Sequence, residues 1–289
     1  MIHIIRLLRP LQWMKNVFVL APLFFTGRLF QWSLLLPTLM VFAAYCLAAS
    51  SIYCLNDARD AESDRLHPKK CHRPIASGAL STTTGYLVMA VCMGLAVSLS
   101  AIAGWEVMSC IVLYLMINIC YCLKLKQVAI LDVMLIALGF VLRVLAGGLA
   151  ADIWISEWLV LMTFLLTLLL ALAKRNDDYR IFEKTGQRPR KSITGYNHEF
   201  INEVVSIVAA VTMVCYIMYA MSPDVIQRMG TRYVYLTCFW VLAGLLRYLQ
   251  NMIVFGRSGS PTKAMVKDWF LQVCVFGWIA SFVVIIYFK

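Results

Sequence analysis

Charge is what this chain has least of. Asp, Glu, Lys and Arg make up 14% of its 289 residues and apolar residues 62%, whereas roughly 25% of a soluble domain is charged. A water-soluble globule is excluded on that count. Paired cysteine motifs are also missing. The ten cysteines, at positions 46, 54, 71, 92, 110, 120, 122, 215, 238 and 274, include no C-x-x-C and fall mostly in apolar runs, so they read as small hydrophobes rather than ligands or bridges. No small-x-small cleavage site is evident after the opening MIHIIRLLRPLQWMKN, which is expected to be retained ahead of a first helix. Internal repeats and low-complexity segments are lacking too. Acids are the scarcer charge, 15 against 26 bases, giving a formal +11. That excess points to anionic lipid head groups or phosphorylated small molecules, with no nucleic acid implied.

What fills the chain is hydrocarbon. A helix needs about 20 apolar residues to cross a bilayer core. Apolar runs lie near 14–30, 33–55, 83–103, 107–123, 128–149, 156–173, 201–221, 233–253 and 269–288. The expectation is one all-α, polytopic integral membrane domain over 1–289 with nine transmembrane helices. The first run is the weakest, because Lys15, Pro22 and Arg28 crowd it and the proline invites a kink. Twenty of the 26 basic residues fall in the N-terminal arm and four alternate connections, against four on the opposite side. The positive-inside rule then places the N-terminus in the cytoplasm and the C-terminus outside, in the inner (cell) membrane.

Two connections on the basic side, about 56–82 and 174–200, are long, polar and rich in both signs of charge, which marks them as functional. The first reads CLNDARDAESDRLHPKKCHRPIASG. If the preceding helix continues, Asn56, Asp57, Asp60 and Asp64 share one face. Carboxylates so crowded repel one another unless a cation neutralises them, and hard oxygen ligands suit Mg²⁺, whose shell substrate phosphates complete. For Asp57 or Asp64 alone the plainer reading is a solvated helix end paired with Arg59, Arg65 and Lys69. The whole N-D-x-x-D-x-x-x-D string favours the metal. Lys69, Lys70 and Arg73, followed by Pro74 and Gly78, could clamp a diphosphate held by the same ion. His67 and His72 read as loop residues.

This string, followed by R-P-I-A-S-G, resembles the first metal motif of the UbiA superfamily of intramembrane prenyltransferases. The resemblance implies nine helices around a central cavity open to the cytoplasmic side and laterally to lipid. It also implies a Mg²⁺-diphosphate held by the residues matching Asn56, Asp57, Asp60 and Asp64. Members usually carry a second acidic motif, D-x-x-x-D, at the end of the sixth helix. Here the stretch is ALAKRNDDYRIFEKTGQRPRK, and neither Asp177 nor Asp178 has an acid four residues on. Three further stretches are similar to the decaprenyl-phosphate phosphoribosyltransferase branch: RPLQWMKN at 9–16, YCLKLKQVAILDVMLIALGFVLRVLAGG at 121–148 and AKRNDD at 173–178. In that branch Lys174, Arg175 and Asp178 match a K-R-x-x-E-like second motif, with Asp in place of Glu.

The branch implies transfer of 5-phosphoribose from 5-phosphoribosyl-1-diphosphate to a polyprenyl phosphate, with Mg²⁺, or Mn²⁺ in its place, and release of pyrophosphate. Asp57, Asp60, Asp64, Lys174 and Asp178 would carry the chemistry. Donor and lipid phosphate together bring roughly six or seven negative charges, more than one metal offsets. The expected phosphate-binding cations are Lys15, Lys70, Arg73, Lys124, Lys126, Arg143 and Arg175, beside the amide of Asn56. Arg143 lies within the fifth run, where insertion costs roughly 2.5–3.5 kcal/mol, so it needs a partner. Asp132 is about 16 Å away along the same helix and cannot serve. It is instead a candidate supporting residue or a helix-start acid, while Arg247 is a candidate to snorkel or to bind a lipid head group. A homo-oligomer is compatible with all of this. Two rivals stand beside this reading. One keeps fold and metal but moves a prenyl group from its diphosphate to an aromatic acceptor. The other is a carrier, which fits poorly with polar residues gathered on one side of the membrane.

Overall fold

Among the described residues of this computed structural model, eight helices are long and apolar enough to cross a bilayer. The structure describes residues 2–65, 70–186, 191–256 and 267–287, and no strand occurs among them. His67, Lys69 and the loop bases Arg188, Arg190, Arg257 and Lys263 lie outside the described residues. In chain order the helices are α1 (Ile2–Leu8), α2 (Ala21–Phe25), α3 (Trp32–Arg59), α4 (Ala61–Arg65), α5 (Thr82–Ala103), α6 (Trp105–Leu123) and α7 (Leu131–Ala150). There follow α8 (Glu157–Thr185), α9 (His198–Met221), α10 (Pro223–Met229), α11 (Cys238–Ile253) and α12 (Trp269–Tyr287). The spanning candidates are α3, α5, α6, α7, α8, α9, α11 with the 3₁₀ turn Tyr233–Thr237 ahead of it, and α12.

The second to ninth apolar runs each contain one of these helices; the first does not. Residues Pro10–Leu20 form a 3₁₀ helix, followed by the short α2. Pro22 has no N–H to donate, and it sits in the first turn of α2, where that lack is tolerated. Nine continuous spanning α-helices are therefore not seen among the described residues.

Two helices are longer than a membrane requires. With 28 residues in α3 and 29 in α8, they reach about 42 and 43 Å against a hydrocarbon core of about 30 Å. Their C-terminal turns carry the two polar motifs. The sequence places the end of the sixth run at Ala173, but nothing between there and Gly186 breaks a helix. Gly186, at φ 67°, supplies the left-handed stop. Helix starts are set by side-chain caps: Ser81 accepts from the Thr84 amide, Ser156 from Leu159 and Asn197 from Phe200.

The chain divides into two compact units, residues 1–124 with 139–155, and residues 125–138 with 156–289. In the first, Val41, Tyr45, Ile111 and Leu142 form a buried core with Val19 of the 3₁₀ segment. Close approach there requires Gly147, where a Cβ would overlap the Val19 carbonyl. A second cluster joins Leu7, Cys54, Ala58, Ala61 and Ile75. The second unit has its own core, built from Leu169, Leu172, Ile201, Val205, Tyr248 and Met252. None of the ten cysteines forms a disulfide, and five of them are buried.

Candidate active site

The stretch RPLQWMKN is laid along α3 by three side-chain contacts. Arg9 Nη2 donates to Asp57 Oδ1 at 2.5 Å, Trp13 Nε1 to Ser50 Oγ at 3.0 Å, and Asn16 Nδ2 to Cys46 Sγ at 3.2 Å. The spacing follows from helix geometry. Seven residues of 3₁₀ helix rise about 14 Å, close to the roughly 16 Å that eleven residues of α-helix cover on the facing chain. Arg9 itself is held at φ 53°, and its guanidinium lies 5.0 Å from the centre of the Tyr53 ring. A non-glycine residue in this left-handed region is uncommon and needs support from its surroundings.

The turn R-P-I-A-S-G returns a second arginine to the same place. The Ser77 amide donates to the Arg73 carbonyl and the Leu80 amide to that of Pro74, while Gly78 takes φ 81°. Ile75 is thereby buried against α3 and α4, a contact worth about 1.5–3 kcal/mol. Arg73 Nη1 then lies 2.5 Å from Asp64 Oδ2 and 3.1 Å from Asp57 Oδ1, with Lys70 Nζ 3.9 Å from Asp64 Oδ1. The helix does not run on smoothly as the sequence suggested: α3 ends at Arg59, Asp60 caps it, and α4 restarts at Ala61. Among the described residues, no ion pair joins Asp57 or Asp64 to Arg59 or Arg65, the partners of the plainer reading. Arg59 donates to the Leu123 carbonyl at the end of α6 and Arg65 to the Ala76 carbonyl in the turn.

A cavity of about 320 Å³ opens beside Asp57, lined by Arg6, Arg9, His72, Arg73 and Pro74. Three guanidiniums and an imidazole face one buried carboxylate. Such a lining, cationic with a single acidic edge, suits an anion.

Arg143 finds its partners within the first unit. Its Nε donates to Asn16 Oδ1 at 2.7 Å, Nη1 to the Gly139 carbonyl at 2.6 Å and Nη2 to Tyr114 Oη at 3.0 Å. The rings of Tyr45, Tyr114 and Phe140 pack on it at 5.4, 4.6 and 5.2 Å. All three nitrogens are engaged by protein in a buried setting, so Arg143 holds the N-terminal arm to α7.

In the second unit Arg175 is completely buried. Its Nε donates to Asp132 Oδ2 at 2.7 Å and its Nη1 to Asp178 Oδ2 at 2.6 Å. Nη2 has no hydrogen-bond partner among the described residues. Asp132 also accepts from Ser192 Oγ at 3.2 Å and from Tyr196 Oη at 2.6 Å. Tyr196 in turn accepts the Ile130 amide at 2.7 Å. Burial, and then the Asp132 carboxylate beside it, push the Tyr196 hydroxyl well above its ordinary pKa, so it remains a proton donor. Lys174, next on α8, is exposed.

The profile of the UbiA prenyltransferase family matches residues 17–271. The chain belongs to the UbiA prenyltransferase family. It is similar to the decaprenyl-phosphate phosphoribosyltransferase of Mycolicibacterium smegmatis, 34% identical over 99% of this chain and 93% of that one. A second relative of the same name, from Corynebacterium glutamicum, is 31% identical over 98% of this chain and 86% of that one. Among solved structures, a UbiA homolog from Archaeoglobus fulgidus bound to DMAPP and Mg²⁺ superposes with a TM-score of 0.74 at 18% identity, covering 98% of both chains. Family and apolar helices together make this UbiA protein a multi-pass membrane protein.

For a UbiA protein the question is whether the acids fit a divalent ion. Among the described residues no three acid, His or Cys side chains converge as ligands; arginines occupy the oxygens instead. Yet Asp57 Oδ2 is buried with no hydrogen-bond partner, and such an atom is costly unless a cation satisfies it. Hard carboxylate oxygens, one of them orphaned, fit Mg²⁺. Of the sequence-predicted residues, Asp57, Asp64, Lys70 and Arg73 are brought together, with Asn56 and Asp60 on the same chain segment. Lys15 and Lys124 are exposed, and Lys126 is half-buried in the turn before α7. Sequence reasoning missed Arg6, Arg9 and His72. The stretch RPLQWMKN pointed to Arg9, but only Lys15 was singled out there.

Proposed function

We propose that this UbiA-family protein transfers 5-phosphoribose from 5-phosphoribosyl-1-diphosphate to a polyprenyl phosphate and releases pyrophosphate. The observation that carries the proposal is the cationic cavity at Asp57. A donor with a diphosphate and a 5-phosphate has more negative charge than a prenyl diphosphate, and Arg6, Arg9, His72 and Arg73 line a space able to take phosphate groups. Similarity over nearly the whole chain to proteins named for this reaction supports the same reading.

Mg²⁺, held by Asp57, Asp60 and Asp64 with the Asn56 amide, would act as a Lewis acid on the leaving diphosphate. The protein's own part is positioning and charge. Arg73 and Lys70 stand beside the carboxylates and would pass from them to phosphate oxygens once the acids are engaged. Lys174 would grip a phosphate from α8, with Asp178 as orienter and Arg175 Nη2 as a further donor. Lys15, Lys124 and Lys126 add positive charge. The bond from the anomeric carbon to the diphosphate oxygen breaks and one to the lipid phosphate oxygen forms. The acceptor is already an anion, so no general base is needed. By the positive-inside rule, the bias of basic residues toward one set of connections favours a cytoplasmic site at the inner membrane.

Purified protein given radiolabelled 5-phosphoribosyl-1-diphosphate, a polyprenyl phosphate and Mg²⁺ is expected to yield lipid-linked ribose phosphate. No such product, with turnover of a prenyl diphosphate onto an aromatic acceptor, would reject the proposal.

A further inference from the structure

We infer that Asp132 and Tyr196 are positioning residues, which act through Arg175 to set the Asp178 carboxylate; the inference rests on the phosphoribosyl-transfer reading of α8. Three parts of the second unit meet at Asp132. Arg175 comes from α8, Ser192 from the 3₁₀ turn Lys191–Gly195, and Tyr196 from the residue after that turn. Asp132 and Arg175 are both completely buried.

The geometry decides what Arg175 can do. A free guanidinium facing a carboxylate tends to close a two-pronged contact that occupies both acid oxygens. Here Asp132 holds Nε, so Arg175 reaches Asp178 through Nη1 and contacts Oδ2. By holding Nε, Asp132 fixes the plane of the guanidinium and so the direction from which Nη1 meets the Asp178 carboxylate.

A plain stabilising ion pair accounts less well for the arrangement. Replacing a buried ion pair by apolar residues often serves stability as well. The local backbone carries strain besides. Ile130, a β-branched residue, takes φ 69°, and its amide is held at 2.7 Å by the same Tyr196 hydroxyl that donates to Asp132. Such an outlier persists only where its surroundings over-determine it, and these positions gather at functional sites. Tyr196 thus ties the strained turn before α7 and the α8 motif to one carboxylate.

The test uses full-length protein in nanodiscs, with Tyr196→Phe as the mild variant and Asp132→Asn as the stronger one. Rates are expressed per folded molecule. Both are expected to lower kcat, by about threefold and at least about tenfold, with KM for polyprenyl phosphate unchanged. A normal kcat per folded molecule would overturn the inference, because a merely structural role lowers the folded fraction and not the turnover of what remains. Hydrogen exchange of peptide 125–131 gives a second readout that needs no activity. Exchange there is expected to accelerate in Tyr196→Phe and to stay slow in Asp178→Asn, and wild-type exchange in Tyr196→Phe would overturn the inference. Should the wild type form no lipid-linked ribose phosphate, the proposed function falls while the exchange measurement still decides the Asp132–Tyr196 linkage.

Discussion

Asn16 Oδ1 accepts a 2.7 Å hydrogen bond from Arg143 Nε, joining residues 127 positions apart. A cation within a membrane helix is thus held by amide, phenol and carbonyl oxygens and by three aromatic faces. Removing it strands Asn16 and Tyr114. Arg143→Met is expected to destabilise the protein by on the order of 3 kcal/mol, and Arg143→Lys by a large part of that, because an ammonium cannot reproduce the planar fork. Thermal unfolding in detergent, followed by loss of the monodisperse peak, measures both. An unshifted midpoint in Arg143→Met would contradict the structural role.

Asp60→Asn removes a charge at the break between α3 and α4 and leaves the Arg9 and Arg73 contacts to Asp57 and Asp64 in place. The variant is expected to fold normally and to lose Mg²⁺-dependent turnover by about 100-fold or more. Product formation is assayed across a Mg²⁺ titration. Wild-type rates at every Mg²⁺ concentration would remove the metal assignment.

Lys174 is exposed on α8, so truncating it should not disturb the core. Lys174→Ala is expected to raise KM for the phosphorylated donor about tenfold with the unfolding midpoint unchanged. Steady-state kinetics with varied donor provide the check, and an unaltered KM would count against phosphate binding by this residue.

Asp268 stands at the start of α12. Burial alone would raise its pKa, but bonds from the Asn251 amide group, the Leu271 N–H and Arg247 outweigh burial and hold it below the ordinary value. A depressed carboxylate stabilises the fold fully above its unfolded pKa of about 3.9, and the contribution fades as pH falls through the lower folded value. Asp268→Asn is therefore expected to unfold at lower temperature than wild type at pH 7, with the gap closing below about pH 4. Paired melts at the two pH values test this, and a gap that widened in acid would refute the sign.

Hydropathy made the spans legible, because bilayer thickness fixes how long an apolar run must be. Near 14–30 it marked an apolar run that the structure forms as the 3₁₀ helix Pro10–Leu20, packed on α3, and the short α2 rather than as one continuous α-helix. The acidic string was legible as a motif. One of its counter-ions was not: Arg9 reaches Asp57 across 48 positions, and only the fold brings them together. Arg175 shows the same limit. As a letter beside Lys174 it reads as a phosphate ligand; in the structure Asp132, 43 positions upstream, claims its Nε. Local spacing reveals which residues have chemistry to offer. Tertiary packing decides which of them face a ligand and which hold another residue in place.

The overhang of α8 makes the stretch between Ser156 and Ala173 a ruler as well as an anchor. Swapping one apolar residue there for another leaves the downstream motif at its depth and azimuth. Adding or deleting a single residue would leave the span as greasy as before, yet swing Lys174, Arg175 and Asp178 by about 100° around the axis and lift Arg175 off its buried seat. Tolerance in this segment should therefore be generous toward composition and severe toward length.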